Sequence, residues 1–463
     1  MSYLGVDLGT GGCRCVVVND AGEIEAEASA SLSCINQSSI PGRSEQSAED
    51  WIGALDICLQ KIFTLPLKDN IRSISIDGTS GTVLPVSPEG QALAFALMHN
   101  DMRSIEEAQQ CKTVFNGDCS PTFALPKILW MQKNLSLPKD TLFMHASDFL
   151  FAWLAGTVEI PTDFTNAMKT GVNLDLEEWQ KHEILDTIRL PKIIPPGRTF
   201  NVLNKSHQKK WGLTKEILLV SGSTDSNAAF YASGACIDGD WASTIGTTLA
   251  VKGLSAVKIL DDGGRIYCHK HPDGAWLPGG ASNAGAEVIR QKFSGRESQI
   301  EYSLQGSHLA LDGLLYPSVR KGERMPVSNK EFTPFQTIGG TSDEEVYLAC
   351  LEGIAYTEKM SFDLLRGLGA NTDGSLFAMG GTTKSALGLQ VRADVHGKCI
   401  QVPAHAHSAF GAAILAAAGF RNQKVGEMSK MMVRRVQEIE PRSDRFDYYA
   451  EKYHNFQELC HLN

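Results

Sequence analysis

Along the 463 residues an apolar run repeatedly stops at a turn built from glycine, threonine and aspartate, and this recurrence constrains the fold more than any other feature. Leu4 and Val6 lead to Asp7 and then to Gly9-Thr10-Gly11-Gly12. Ile71 to Ile76 alternates as a strand and ends at Asp77-Gly78-Thr79-Ser80-Gly81-Thr82. Leu218 to Val220 runs into Ser221-Gly222-Ser223-Thr224-Asp225. In the second half, Trp241 to Thr244 gives way to Ile245-Gly246-Thr247-Thr248, and Leu376 to Met379 gives way to Gly380-Gly381-Thr382-Thr383. Strand ends followed by small-residue loops are where α/β proteins place their ligands. The pattern predicts two α/β domains, the second beginning as the first did.

A chain of this length exceeds what one hydrophobic core organises. The boundary is expected at Asp238-Gly239-Asp240, giving domains 1–238 and 239–463. Ser47 opens a helix to about Phe63 with Trp51, Leu55, Cys58, Leu59 and Ile62 on one face. Residues 120–160 read as helical, 344–366 as a long amphipathic helix, 411–418 as a small-residue helix that another backbone can approach, and the tail from 425 as surface helix.

Composition excludes several classes of function. With 43 basic against 53 acidic residues the net charge is -10, which offers no broad basic surface to nucleic acid or anionic lipid. Backbone amides can still build a local phosphate site. The 11 cysteines have no CxxC spacing and are expected as reduced thiols in a cytoplasmic protein, or a plastid one if a transit peptide was removed. Neither a P-loop GxxxxGK[ST], a Rossmann GxGxxG nor a hydrolase nucleophile elbow occurs. The pairs His269/His271 and His405/His407 lack a third ligand at a useful spacing.

Taken together, these segments resemble the FGGY carbohydrate kinases of the actin-like ATPase superfamily, over nearly the whole chain. GVDLGTGG at 5–12 resembles the family's first phosphate loop, and STIGTT at 243–248 the second. ISIDGTSGT at 74–82 resembles the sugar-facing turn of the D-ribulose kinases of plants and cyanobacteria, where many xylulose kinases carry glutamine-methionine-histidine. His99-Asn100-Asp101-Met102-Arg103 resembles a tryptophan-x-aspartate-x-arginine element, with His99 in place of the aromatic. TDFTNA at 162–167, SGSTDSNAAF at 221–230, GGASN at 279–283 and GGTTK at 380–384 complete the match. The acidic residue that commonly precedes the C-terminal glycine-alanine-alanine helix is absent from Ala404 to Phe410.

The resemblance implies two actin-like, ribonuclease H-like α/β domains with a central cleft, the first binding sugar and the second ATP. It implies ATP-dependent phosphorylation of D-ribulose to D-ribulose 5-phosphate, with D-xylulose or another sugar or polyol as the alternative acceptor. A chaperone-like ATPase on the same fold is the competing class. Asp225 is the expected catalytic base, its alternative being an N-cap of the following helix. Asp7 and Asp225 are the expected Mg²⁺ carboxylates and also face the substrate; for Asp7 the alternative is a turn aspartate. Gly9, Thr10, Gly11, Gly12, Gly246, Thr247, Thr248, Gly280, Gly380, Gly381 and Lys384 are expected to bind ATP. Thr79, Ser80, Asn100, Asp101 and Arg103 are expected to bind the sugar, the alternative being a surface salt-bridge cluster for Asp101 and Arg103 and a plain Asx or Ser turn for 77–80. Asp163 and Asn166 read as cleft residues or a helix cap. The expected partners are small molecules only, with a homodimer left open.

Overall fold

The structure, a computed structural model, describes residues 1–463 except 116, 118, 306–308, 340, 341 and 463. Its first mixed sheet starts with three hairpin-linked antiparallel strands, β1 (Ser2–Gly9), β2 (Gly12–Asn19) and β3 (Ile24–Ser31). The sheet continues through β4 (Ile71–Gly78), parallel to β1, and ends with β5 (Thr199–Val202) and β6 (Leu218–Thr224) in the order β5-β6-β4-β1-β2-β3. Strand β1 is buried along nearly its whole length, as a central strand covered on both faces requires, whereas Ile24-Glu25-Ala26-Glu27 of edge strand β3 alternates with solvent. Helix α1 (Ala48–Phe63) packs on β2 and β3 through the five apolar residues expected of it.

The second sheet repeats the plan. Strands β7 (Trp241–Ile245), β8 (Leu249–Gly253), β9 (Tyr267–Lys270) and β10 (Trp276–Ser282) pair antiparallel with one another. Strands β11 (Leu376–Met379) and β12 (Ile400–Pro403) then run parallel to β7, with β13 (Arg435–Ile439) at the edge, giving β9-β10-β8-β7-β11-β12-β13.

The chain forms two compact units, one of residues 1–232 and 407–432, the other of residues 233–406 and 433 onward. A single break at 238/239 therefore misses a return crossing. Helix α6 (Ser408–Arg421), read from sequence as part of the second half, packs on β1, on β4 and on α3 (Asp225–Tyr231). The approach is so close that a Cβ on Gly5 would lie 1.9 Å from the Ala409 carbonyl oxygen, and one on Gly411 1.8 Å from that of Ala228. The small residues of 411–418 serve this backbone contact, as expected, but within the first unit.

Residues 120–160 also differ from a uniformly helical reading. After α2 (Ala124–Asn134) the chain turns extended at Leu135, and Leu142–His145 forms a strand beside Val83–Val86 before the chain turns helical again. The tail after 425 is two helices separated by β13. Among the described residues no helix is long and apolar enough to cross a membrane.

Candidate active site

In the first unit the ends of β1, β4 and β6 lie side by side. Asp7 pairs in register with Asp77, Ser223 with Asp77, and Thr224 with Gly78. A register shift between Val220 and Ser223 carries the chain past the strand end so that Asp225 becomes the first residue of α3. The shift requires glycine, because a Cβ on Gly222 would fall 1.7 Å from the Ile76 carbonyl oxygen.

The TDFTNA segment braces this turn from behind. Buried Asp163 caps the one-turn helix Phe164–Ala167, accepting from the amides of Thr165 at 2.8 Å and Asn166 at 3.0 Å. Thr165 Oγ1 in turn accepts the Thr224 amide at 3.0 Å and lies 3.0 Å from Ser223 Oγ. Asp163 is thus the helix cap, with Asn166 Nδ2 donating to it at 2.6 Å, and together they hold the approach to Asp225. Asp225 itself is half-buried and accepts the Ser226 amide at 2.6 Å; it is not sunk in packing.

Sequence reading passed over Asp77. Its side chain is fully buried and neither carboxylate oxygen receives an N–H or O–H. Burial, then the carboxylates of Asp7 and Asp225, push it well above the usual carboxylate range. A buried carboxyl with no N–H or O–H donated to it, crowded by the carboxylates of Asp7 and Asp225, is a group whose ionised form a hydrated divalent cation would stabilise, so this edge fits Mg²⁺ chemically.

The sugar-side candidates gather around the turn after β4. Thr79 Oγ1 lies 2.6 Å from Thr82 Oγ1, which accepts the His99 amide at 3.1 Å. Lys169 donates to the Ser80 carbonyl at 3.3 Å. Burial lowers the Lys169 pKa, and the charge of Asp225 opposes the shift, which puts this cation in electrostatic reach of the expected base. Lys127, fully buried, donates to the carbonyls of Gly81, Met98 and Thr122 at 3.0, 2.5 and 2.9 Å, tying three loops together. Burial draws its pKa down to about 7.

Asn100 is exposed. Asp101 is fully buried and accepts the Ser44 amide, the Arg103 amide and two Arg103 guanidinium bonds, at 2.7 to 3.0 Å. Arg103 also pairs with Glu45 at 2.5 Å and stacks over Trp130 at 4.9 Å. The pair forms the salt bridge of the alternative reading, but its side chains are buried and not on the surface: Asp101 fixes Arg103 and the loop. His99 presents a buried Nδ1 with no hydrogen-bond partner, and burial followed by the Lys127 and Lys169 charges lowers its pKa. Lys127 and Lys169 were illegible as site residues because their spacing carries no motif, whereas His99 stood inside a quoted element but only in place of its aromatic.

The first phosphate turn is a tight hairpin, Thr10-Gly11 between the paired Gly9 and Gly12. The Thr10 carbonyl accepts Gln46 Nε2 at 2.8 Å, leaving Gly11 exposed. In the second unit the Gly246-Thr247-Thr248 turn is strapped by the Ala286 amide, which donates to the Gly246 carbonyl at 2.9 Å. Gly246, Thr247, Gly381, Thr382 and Lys384 line a groove of about 580 Å³ together with Ile289, Arg290, Glu301, Tyr347 and Leu351. That volume and its mixed apolar and polar wall suit a nucleotide. Gly380 stands behind it with φ +87, where a Cβ would meet the Ile245 carbonyl oxygen at 2.6 Å. Thr248 and Gly280 are not among the lining residues. Gly280 is buried inside β10, where a Cβ would lie 2.2 Å from Met325 Sδ, so its smallness serves strand packing.

Comparison with known proteins agrees with this architecture. Residues 2–231 match the N-terminal domain of the FGGY family of carbohydrate kinases and residues 274–420 match its C-terminal domain. The chain belongs to the FGGY family, and as such is an ATP-dependent carbohydrate kinase with the family's two-domain α/β fold. It is similar to the xylulose kinase of Staphylococcus epidermidis, 27% identical with 97% of this chain and 94% of that protein covered. A Bacillus subtilis xylulose kinase is 25% identical over 97% and 95% of the two chains. A crystal structure of a Brucella ovis protein described as a xyloylose kinase superposes with TM-score 0.88 at 21% identity, covering 99% of this chain and 98% of that one. These relatives are named xylulose or xyloylose kinases, and the expected affinity to the plant and cyanobacterial D-ribulose kinases gains no support from them. The chaperone-like ATPase reading gives way to the kinase family.

Proposed function

We propose that the protein phosphorylates a ketopentose, with D-xylulose the favoured acceptor and Asp225 the base. The full-length likeness to proteins named xylulose kinase supports the sugar. The observation that carries the mechanism is the alignment of Asp7, Asp77 and Asp225 at adjoining strand ends, with Asp225 half-buried in a braced turn.

In this reading the sugar binds the first unit, near Thr79, Ser80, His99, Asn100 and Lys169, with Asp101 and Arg103 shaping the loop. A polyol site must pair each hydroxyl, since an unpaired buried one is costly. The nucleotide occupies the groove of the second unit, with Lys384 and the Gly246-Thr247 turn toward its phosphates. The backbone amides of Gly9 to Gly12 are phosphate donors within the first unit, where glycine permits close approach. Asp7, and Asp77 behind it, would hold Mg²⁺, which neutralises charge on the phosphates when bound. The terminal hydroxyl oxygen attacks the γ-phosphorus, its proton passes to Asp225, and ADP leaves as the bond to the β,γ-bridging oxygen breaks.

D-Ribulose is the second reading, favoured by the ISIDGTSGT segment at 74–82. The two sugars differ in the configuration of one hydroxyl. ADP release coupled to a dehydrogenase assay, run over a panel of ketopentoses, aldonates and polyols and compared as kcat/KM, separates them. A polyol or aldonate outpacing every ketopentose would overturn the proposal.

A further inference from the structure

We propose that Cys13, Cys15 and Cys58 form a trithiol site for a soft monovalent metal ion, copper(I) being the natural candidate, in the core of the first unit. Cys13 and Cys15 are two apart on β2 and so point to one face of the sheet. That face is covered by α1, whose Cys58 points inward. The three Sγ atoms lie within 4.8 Å of one another, and the residues are 2%, 0% and 0% exposed. Among the described residues no other histidine, cysteine or acidic group forms such a cluster.

The distances fit a trigonal ion without any cavity. A point equidistant from three sulfurs at the 4.8 Å limit lies about 2.8 Å from each, so a contraction of roughly 0.5 Å reaches an ordinary metal–thiolate bond of about 2.3 Å. The ion would sit in the plane of the sulfurs, in space taken by thiol hydrogens.

The donor set selects the metal class. Hard cations need oxygen ligands, and no carboxylate joins the cluster. Zinc in a closed site takes four ligands, and the apolar neighbours Val17, Trp51, Leu55 and Leu59 supply none. Soft thiolates with no fourth donor suit copper(I). Each thiol that binds as a thiolate gives up its proton to solvent as the metal enters. Cys13 directly follows Gly12, so the site lies at the base of the phosphate-turn hairpin.

Anaerobic titration of the reduced full-length protein with the copper(I)–bicinchoninate complex tests the assignment. The expected result is transfer of one copper(I) per chain, with X-ray absorption giving three sulfur neighbours at about 2.3 Å. Cys58→Ala, checked by circular dichroism, loses that transfer, whereas Cys350→Ala, a buried thiol elsewhere, keeps it. Failure of the native protein to take the metal, undiminished transfer to Cys58→Ala, or an absorption spectrum showing fewer than three sulfurs overturns the proposal and leaves the thiols as small apolar packing groups. The native-protein spectrum decides the matter should Cys58→Ala not fold.

Discussion

Replacing Glu358 by Gln tests how the second unit holds its nucleotide groove in shape. Glu358 lies on α4 (Asp343–Gly367) and receives Arg392, on α5 (Ala386–His396), through Nε at 2.8 Å and Nη2 at 2.7 Å. His396 Nε2 lies 3.2 Å from the same carboxylate. Glu358 is 0% and Arg392 2% exposed, so the pair is dry. Gln keeps the shape but leaves the guanidinium as an uncompensated buried cation, and its amide nitrogen meets a donor. Breaking such a pair costs about 3–5 kcal/mol. For a unit of roughly 200 residues, at about 2–4 °C per kcal/mol, the melting transition falls by about 6–20 °C.

The pH dependence has a definite sign. Burial drives Glu358 upward, but the Arg392 charge and then His396 hold it well below its ordinary value of 4.5. A carboxylate depressed in the folded state contributes stability above the unfolded pKa and loses it as pH falls. The native protein therefore loses stability below about pH 4.5, by at most about 1.4 kcal/mol per pH unit from this group, and Glu358→Gln does not. The gap between the two narrows toward acid. Since α5 follows directly on the groove residues Gly381 to Ser385, KM for ATP also rises. Calorimetry at pH 7 and pH 4 decides: a shift under about 2 °C at pH 7, or a gap that widens in acid, refutes the reasoning. Glu358→Leu with Arg392→Met, which removes both charges together, recovers most of the lost stability.

Asp225→Asn lowers kcat by about 10²–10⁴ with KM for ATP little changed, read by phosphorylated sugar; near-native turnover would reject the base. Lys127→Met, which unties the carbonyls of Gly81, Met98 and Thr122, raises KM for sugar several-fold while KM for ATP stays put. Lys384→Ala does the reverse, raising KM for ATP alone. Gly222→Ala drives a methyl into the Ile76 carbonyl and costs more than about 4 kcal/mol, measured by urea denaturation.

What the sequence made legible is what short-range chemistry encodes. A strand ending in glycine and threonine announces its turn, so the strand ends around Asp7 and before Asp225 and the turns at 9–12 and 246–248 were readable as local structure before any coordinates. The return of α6 to the first unit was not, because the close contacts of Gly5 with Ala409 and of Gly411 with Ala228 join positions hundreds of residues apart. Asp101 illustrates the same limit within a motif: its spacing to Arg103 suits either a sugar contact or a latch, and only the Ser44 amide and Trp130, both distant in sequence, select the latch. Gly280 misled for the opposite reason, since a glycine needed for packing against Met325 looks like one needed for phosphate. Asp77 stood in plain view beside Thr79 and Ser80, yet its meaning depends on the register of β1 against β4, which places its undonated carboxylate behind Asp7. A site built at sheet edges is therefore half legible: the residues that face the ligand sit in recognisable turns, while those that support them are set by strand register and by buried cations such as Lys127 that no local pattern marks.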